Sequence, residues 1–138
     1  MLWATRRGCH VDRTACMWLI RRRIDPNAEF HFFGDASEAP EGAELFDVAG
    51  ARLSHSGDAC TFEIMLEEYD LDDPVLREIS EIVHDADLMD GMYGRPESDG
   101  LDAVIRGMQQ ALPDDETLTL HTDPIFDGLY VYLRRETL

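Results

Sequence analysis

The chain has 138 residues, enough for one hydrophobic core and too few for two, so residues 1–138 are expected to form one domain. It carries 29 Asp and Glu against 12 Arg, with no Lys, for a formal net charge of −17. A surface of that sign repels phosphate backbones and anionic headgroups, so nucleic acid and membranes are not expected partners.

No apolar run approaches the length of a membrane span, and the first residues lack the order of a secretory signal, so the expected location is cytoplasmic. Cys9, Cys16 and Cys60 are odd in number and read as free, buried thiols rather than a disulfide framework. The charge is uneven. Residues 1–25 hold six Arg and two acids, a net +4, which leaves −21 for residues 26–138.

In chain order, residues 2–7 form a strand candidate. Residues 11–24 read as a helix, capped by Asp12 or Thr14 and stopped by Asp25-Pro26. Its apolar positions Val11, Ala15, Trp18, Leu19 and Ile20 cover a broad arc, which predicts extensive burial. Arg21, Arg22 and Arg23 fall in its last turn, where cations complement the helix C-terminus. Residues 28–33 and 44–48 are short strand candidates. Residues 34–42, rich in Gly, Pro and acids, separate them as a loop.

From residue 61 onward the pattern turns helical. Phe62, Met65, Leu66 and Tyr69 recur at helical spacing behind a possible Thr61 cap. Asp73-Pro74 opens the next helix, with Val75, Ile79, Ile82, Val83 and Ala86 inward. A third helix carries Leu101, Val104, Ile105, Met108 and Leu112 up to Pro113. Asp123-Pro124 repeats the cap-plus-proline device and predicts a last helix whose Ile125, Phe126, Leu129 and Tyr130 face packs on the helix from Asp73. The expected fold is α+β, a mostly α-helical single domain with a small N-terminal β-sheet.

Four segments gather ligand-type side chains: Cys9 to Arg13 with Cys16, Ser54 to Glu63, Ile82 to Asp87, and Phe126 to Tyr130. None has a zinc-finger or H-E-x-x-H spacing, a phosphate loop or a nucleophile elbow. His84 and Asp87 are i, i+3 neighbours and can serve one ion. His84 lies about 150°, and Asp87 about 90°, from the centre of the apolar stripe, off the core face. Their use as ligands requires a second element on that side, such as the loop carrying His55. Glu63 flanks its own apolar stripe at a helix start and is a plausible partner for His55.

The expected metal set is therefore His55, Glu63, His84 and Asp87, with a divalent ion (Zn, Fe or Mn) as cofactor. His10, Asp12 and Arg13, at a predicted helix start, form a candidate substrate or oxyanion group. The bland alternatives are a solvated acidic face for the carboxylates and a salt bridge for Arg13.

The stretches HVDRTACMWLIRRRIDPNAEF, ELFDVAGARLSHSGDACTFE, IVHDADLMDGMYGRPESDGLDAVIRGM and IFDGLY, in that order, resemble the C-terminal domain of the ChrB family of bacterial chromate-resistance proteins. The resemblance implies a role in chromate resistance, with chromate or another oxyanion as partner. Longer members carry a further N-terminal region not present in this chain, which, with the charge, weighs against a DNA-binding role here. Three functions are expected from different classes. The first is a metal-binding domain in chromate or oxidative-stress defence, in one form a metal-dependent enzyme. The second is a non-enzymatic oxyanion sensor or adaptor, and the third is a partner-binding module. Stoichiometric metal in the purified protein separates the first from the others.

Overall fold

A computed structural model describes residues 1–136. The N-terminal half builds a three-stranded parallel sheet in the order β2-β1-β3, from β1 (Leu2–Arg6), β2 (Glu29–Phe33) and β3 (Glu44–Leu45). Central β1 pairs Trp3 with Phe30 on one side and with Glu44 on the other. Its middle residues Trp3, Ala4 and Thr5 are all buried, as a parallel strand covered on both faces requires. The polar Thr5 is accommodated because its hydroxyl donates to the Phe46 carbonyl at 2.7 Å.

Five helices complete the fold: α1 (Val11–Leu19), α2 (Thr61–Glu68), α3 (Pro74–Leu88), α4 (Glu97–Ala111) and α5 (Asp115–Glu136). The architecture is α+β with the sheet small and N-terminal, as the periodicities predict. No described helix is long and apolar enough to cross a membrane. The core gathers Trp3, Met17, Leu19, Phe46, Phe62, Leu76, Ile79 and Phe126 from every layer.

Several element ends differ from expectation. The segment predicted as one helix over 11–24 is α1 followed by a wider π turn, Ile20–Ile24. That turn fans its three arginines towards different partners: Arg21 to Asp123 (2.9 Å), Arg22 to Asp127 through two bonds (3.0 and 2.9 Å), and Arg23 to Asp73 (2.6 Å). They tie α1 to α5 and to the start of α3 rather than serving only their own helix end.

The α1 N-cap is His10, not Asp12 or Thr14, and no side chain caps it. Likewise the α2 N-cap is Cys60 rather than Thr61. The cap-plus-proline device holds at α3, where Asp73 accepts from the Val75 N–H at 2.9 Å. It fails at Asp123-Pro124. There α5 has already begun at Asp115, behind Asp114, whose carboxylate accepts from the Thr117 N–H at 2.8 Å. Asp123 turns to Arg21 instead of capping, and Pro124 sits inside the helix. The carbonyl that Pro124 leaves without a donor belongs to the turn of exposed Leu120, where water can replace it.

Helix α5 does meet α3, where the Tyr130 hydroxyl donates to Asp73 at 2.6 Å, but its buried Phe126 packs against Trp18 of α1. Ile125 and Leu129 are only half-buried and line a groove shared with α4.

Candidate metal centre

Asp12 is the pivot of the site. It stands in the first turn of α1, yet its carboxylate is buried and serves another helix. It accepts from the Thr61 and Phe62 N–H groups, both at 3.0 Å, and so caps α2. The free N–H groups of a helix start draw a carboxylate, and the Cys16 thiol one turn along α1 adds a weaker bond to Asp12 Oδ1 at 3.7 Å.

Around it converge side chains from three further segments. His55, from the loop before α2, places Nε2 at 2.8 Å from Asp87 Oδ2 and at 3.6 Å from Asp12 Oδ2. Its other nitrogen, Nδ1, faces Asp47 Oδ1 and the Thr61 hydroxyl, each at 3.1 Å. Asp47 is fixed in turn by Arg13, whose Nε donates to Oδ2 at 2.8 Å, and by Thr61, whose hydroxyl donates to Oδ1 at 2.8 Å. Asp47 adopts a left-handed backbone (φ 52°), a conformation that Asp tolerates better than most residues.

The electrostatics follow from this crowding. Burial, then the negative charges of Asp47 and Asp87, push the Asp12 carboxyl up to about 7, against the pull of His55 and the Phe62 N–H. For His55, burial pulls downward, but the hydrogen bond to Asp87 and the charges of Asp12 and Asp47 outweigh it and leave the imidazole raised. One ligand atom each from Asp12, His55 and Asp87 lies within 4.8 Å of the others. The triad lines a cleft of about 320 Å³ that also presents Gly8, His10, Arg13 and Asp47.

The expected metal set is therefore divided. Asp87 does meet His55, across the second element that their placement on the helix demanded. His84 and Glu63 belong to a neighbouring cluster instead, with His84 Nδ1 at 2.6 Å from Glu63 Oε1. Among the described residues, no such triad of ligand atoms joins His55 to Glu63 or to His84. His84 was expected off the core face, but it is fully buried. The segment after α3 folds back over it: Asp90 Oδ2 lies 2.9 Å from His84 Nε2, and Tyr93 packs edge-on at 5.1 Å between ring centroids.

The expected oxyanion group lies in the same cleft as Asp87 and His55. The His10 side chain has no hydrogen-bonding partner there. Arg13 is held by Asp47 and by the Arg6 carbonyl at 2.9 Å, so its positive charge is already matched. The salt bridge weighed for Arg13 exists, with Asp47 as the partner.

Sequence reasoning missed Asp47 and Asp90; Thr61 reads from sequence only as a helix cap, and Cys60 falls in the Ser54 to Glu63 segment but outside the expected ligand set. Asp47 is one acid among 29, and nothing in its spacing marks it. Asp90 precedes Gly91 in a turn signal, which announces a reversal but not what the reversal covers.

Comparison with known proteins bears on the whole chain. The family model described as ChrB, C-terminal domain, matches residues 3–133. The chain is similar to Protein ChrB of Cupriavidus metallidurans, at 39% identity over 131 residues. That match covers 94% of this chain and 40% of the relative, so the chain spans well under half the length of the curated protein it matches. No solved structure matches.

Proposed function

The chain belongs to the ChrB C-terminal domain family, and from that premise we propose that it acts in chromate resistance as a metal-binding domain whose ion is held by Asp12, His55 and Asp87. The family is implicated in chromate resistance; the metal is our reading of the site. One observation carries it. The carboxylates of Asp12, Asp47 and Asp87 crowd around one imidazole, beside a cleft, and Asp12 is 2% exposed. Like charges held this close favour either protonation or a cation, and a divalent ion neutralises two of them at once.

The donors are two carboxylate oxygens and one imidazole nitrogen, which suit Mn(II), Fe(II) or Zn(II) and leave positions open on the cleft side. His55 would ligate through Nε2, because Nδ1 faces Asp47. A carboxylate on the far nitrogen fixes ring and tautomer, as is general for metal-ligating histidines. His10, without a partner in the cleft, would face whatever occupies the open positions. A bound ion there supplies Lewis acidity and a site for an anionic ligand.

Elemental analysis of the purified protein tests this reading. After loading with Mn(II), whose preference is for oxygen and nitrogen ligands, close to one equivalent is expected in the native chain and a loss of most of it in His55→Ala. A native protein that takes up no Mn(II), or as much in His55→Ala, would overturn it. In that case the second reading gains, an oxyanion-binding domain centred on His10 and Arg13. It is the weaker one because Arg13 is already paired.

A further inference from the structure

We propose that Cys60, Glu63 and His84 form a second cation site, with softer ligands than the first, suited to Zn(II) and similar borderline ions. Cys60 is the N-cap of α2, Glu63 stands in the first turn of that helix, and His84 comes across from α3. Cys60 and His84 are fully buried, and one ligand atom from each of the three lies within 4.8 Å of the others. A sulfur, a nitrogen and a carboxylate oxygen are three of the donors from which four-coordinate zinc sites are built.

The supporting groups are those such a site needs. Asp90 holds His84 Nε2 at 2.9 Å, which orients the ring and leaves Nδ1 towards Glu63 at 2.6 Å. The Cys60 N–H donates to Glu63 Oε1 at 2.9 Å, and the Tyr93 hydroxyl donates to Oε2 at 3.4 Å, so the carboxylate is steered from both ends. Zinc bonds to N and O of about 2.0–2.2 Å place neighbouring ligand atoms roughly 3.3 Å apart. Ion entry therefore asks the Glu63–His84 contact to open by less than about 1 Å.

The site also has an approach. Glu63 and Tyr93 line a cleft of about 450 Å³ together with Glu67, Asp70 and Glu81. Arg77, which also lines it, is paired with Asp72, so the cleft stays net negative and draws cations towards its base. The two sites differ in accessible ligand chemistry. The first offers oxygen and nitrogen alone, whereas the second adds a thiol.

Co(II) is the probe that tells them apart. Titrated into the purified chain, it is expected to give a thiolate-to-cobalt charge-transfer absorption, bleached when Zn(II) is added. Cys60→Ser should abolish that absorption and weaken Zn(II) binding at this site at least tenfold. Ser is itself a good N-cap, so α2 should persist, and circular dichroism checks that it does. His55→Ala, which removes only the first site, should leave the absorption intact, so failure of one site is distinguishable from failure of the other. Absence of the absorption in the native chain, or its survival in Cys60→Ser, would overturn the proposal.

Discussion

Asp47 touches neither Asp87 nor the α2 N–H groups that hold Asp12, yet the geometry gives it control of His55. It sits on Nδ1 and is itself clamped by Arg13 and Thr61. Loss of a partner that orients a ligating histidine typically costs about 10–100-fold in metal affinity. Asp47→Ala should therefore weaken Mn(II) binding by about that factor. Nitrogen-15 NMR of the imidazoles should show His55 losing its fixed tautomer, a change that a merely structural role for Asp47 would not produce.

His84 supplies a pH dependence in metal-free protein. Burial pulls its imidazole downward, but the hydrogen bonds and charges of Glu63 and Asp90 outweigh this and leave it raised. The folded state thus holds that proton more tightly than the unfolded chain, whose histidines titrate near about 6.5. The stabilisation is complete below about 6.5 and is lost as pH rises through the higher folded value. Cys60, Asp85 and Tyr93 also face this ring; Tyr93 is raised from the usual phenol range, first by burial and then by the Glu63 charge, and so stays neutral through this window. Urea midpoints in the presence of chelator should fall between pH 6.5 and 9. His84→Gln should flatten the part of that slope not due to His55, to Asp12 or, towards pH 9, to the buried thiols, all of which are raised as well. A midpoint that rises over this range would contradict the assignment.

At the scale of elements, most of the fold was legible because its apolar periodicity is strong. The β1 strand, the α3 stripe and the α2 pattern follow directly from residue order. What was not legible depended on partners distant in sequence. Asp12 reads locally as a cap for α1, and it caps α2 instead because the Thr61 and Phe62 N–H groups meet it there. His84 reads as a solvated side chain until the turn at Asp90 lays Tyr93 over it. Asp123-Pro124 reads as a helix start, since nothing local says that Asp114 has already capped the same helix.

The same kind of cause divides the four expected ligands, Asp87 meeting His55 and Glu63 meeting His84. Helix spacing could say that Asp87 needs a facing element, but only the folded chain says which histidine each carboxylate meets. Packing gives a matching expectation for α5. Phe126 is fully buried against Trp18, so Phe126→Ala should cost about 3–5 kcal/mol. Leu129, half-buried in the groove with α4, should cost less than about 2 kcal/mol when cut to Ala. Equal shifts of the denaturation midpoint for the two variants would argue against this placement of the α5 face.

Over the whole molecule, the uneven charge has a structural reason. Four of the six arginines of the basic N-terminal segment pair with later acids: Arg13 with Asp47, Arg21 with Asp123, Arg22 with Asp127 and Arg23 with Asp73. Attraction between a positive first segment and a negative remainder thus closes the chain on itself, and the surplus of acids is left on the surface. Their mutual repulsion should weaken the fold at low ionic strength. The screening length falls from about 30 Å at 0.01 M to about 3 Å at 1 M. The melting temperature should therefore rise with sodium chloride across that range, in metal-free protein. A flat profile would mean that intramolecular Arg pairs already neutralise the acids that matter.

The central claim is that Asp12, His55 and Asp87 hold one divalent ion, and Mn(II) selects that site because its ligands there are oxygen and imidazole nitrogen without thiolate. Calorimetric titration of Mn(II) into native protein, Asp87→Asn and Cys60→Ser is the most direct test. One ion per native chain is expected, with affinity at least about tenfold weaker in Asp87→Asn and unchanged in Cys60→Ser. Equal Mn(II) affinity in the native chain and in Asp87→Asn would contradict the account.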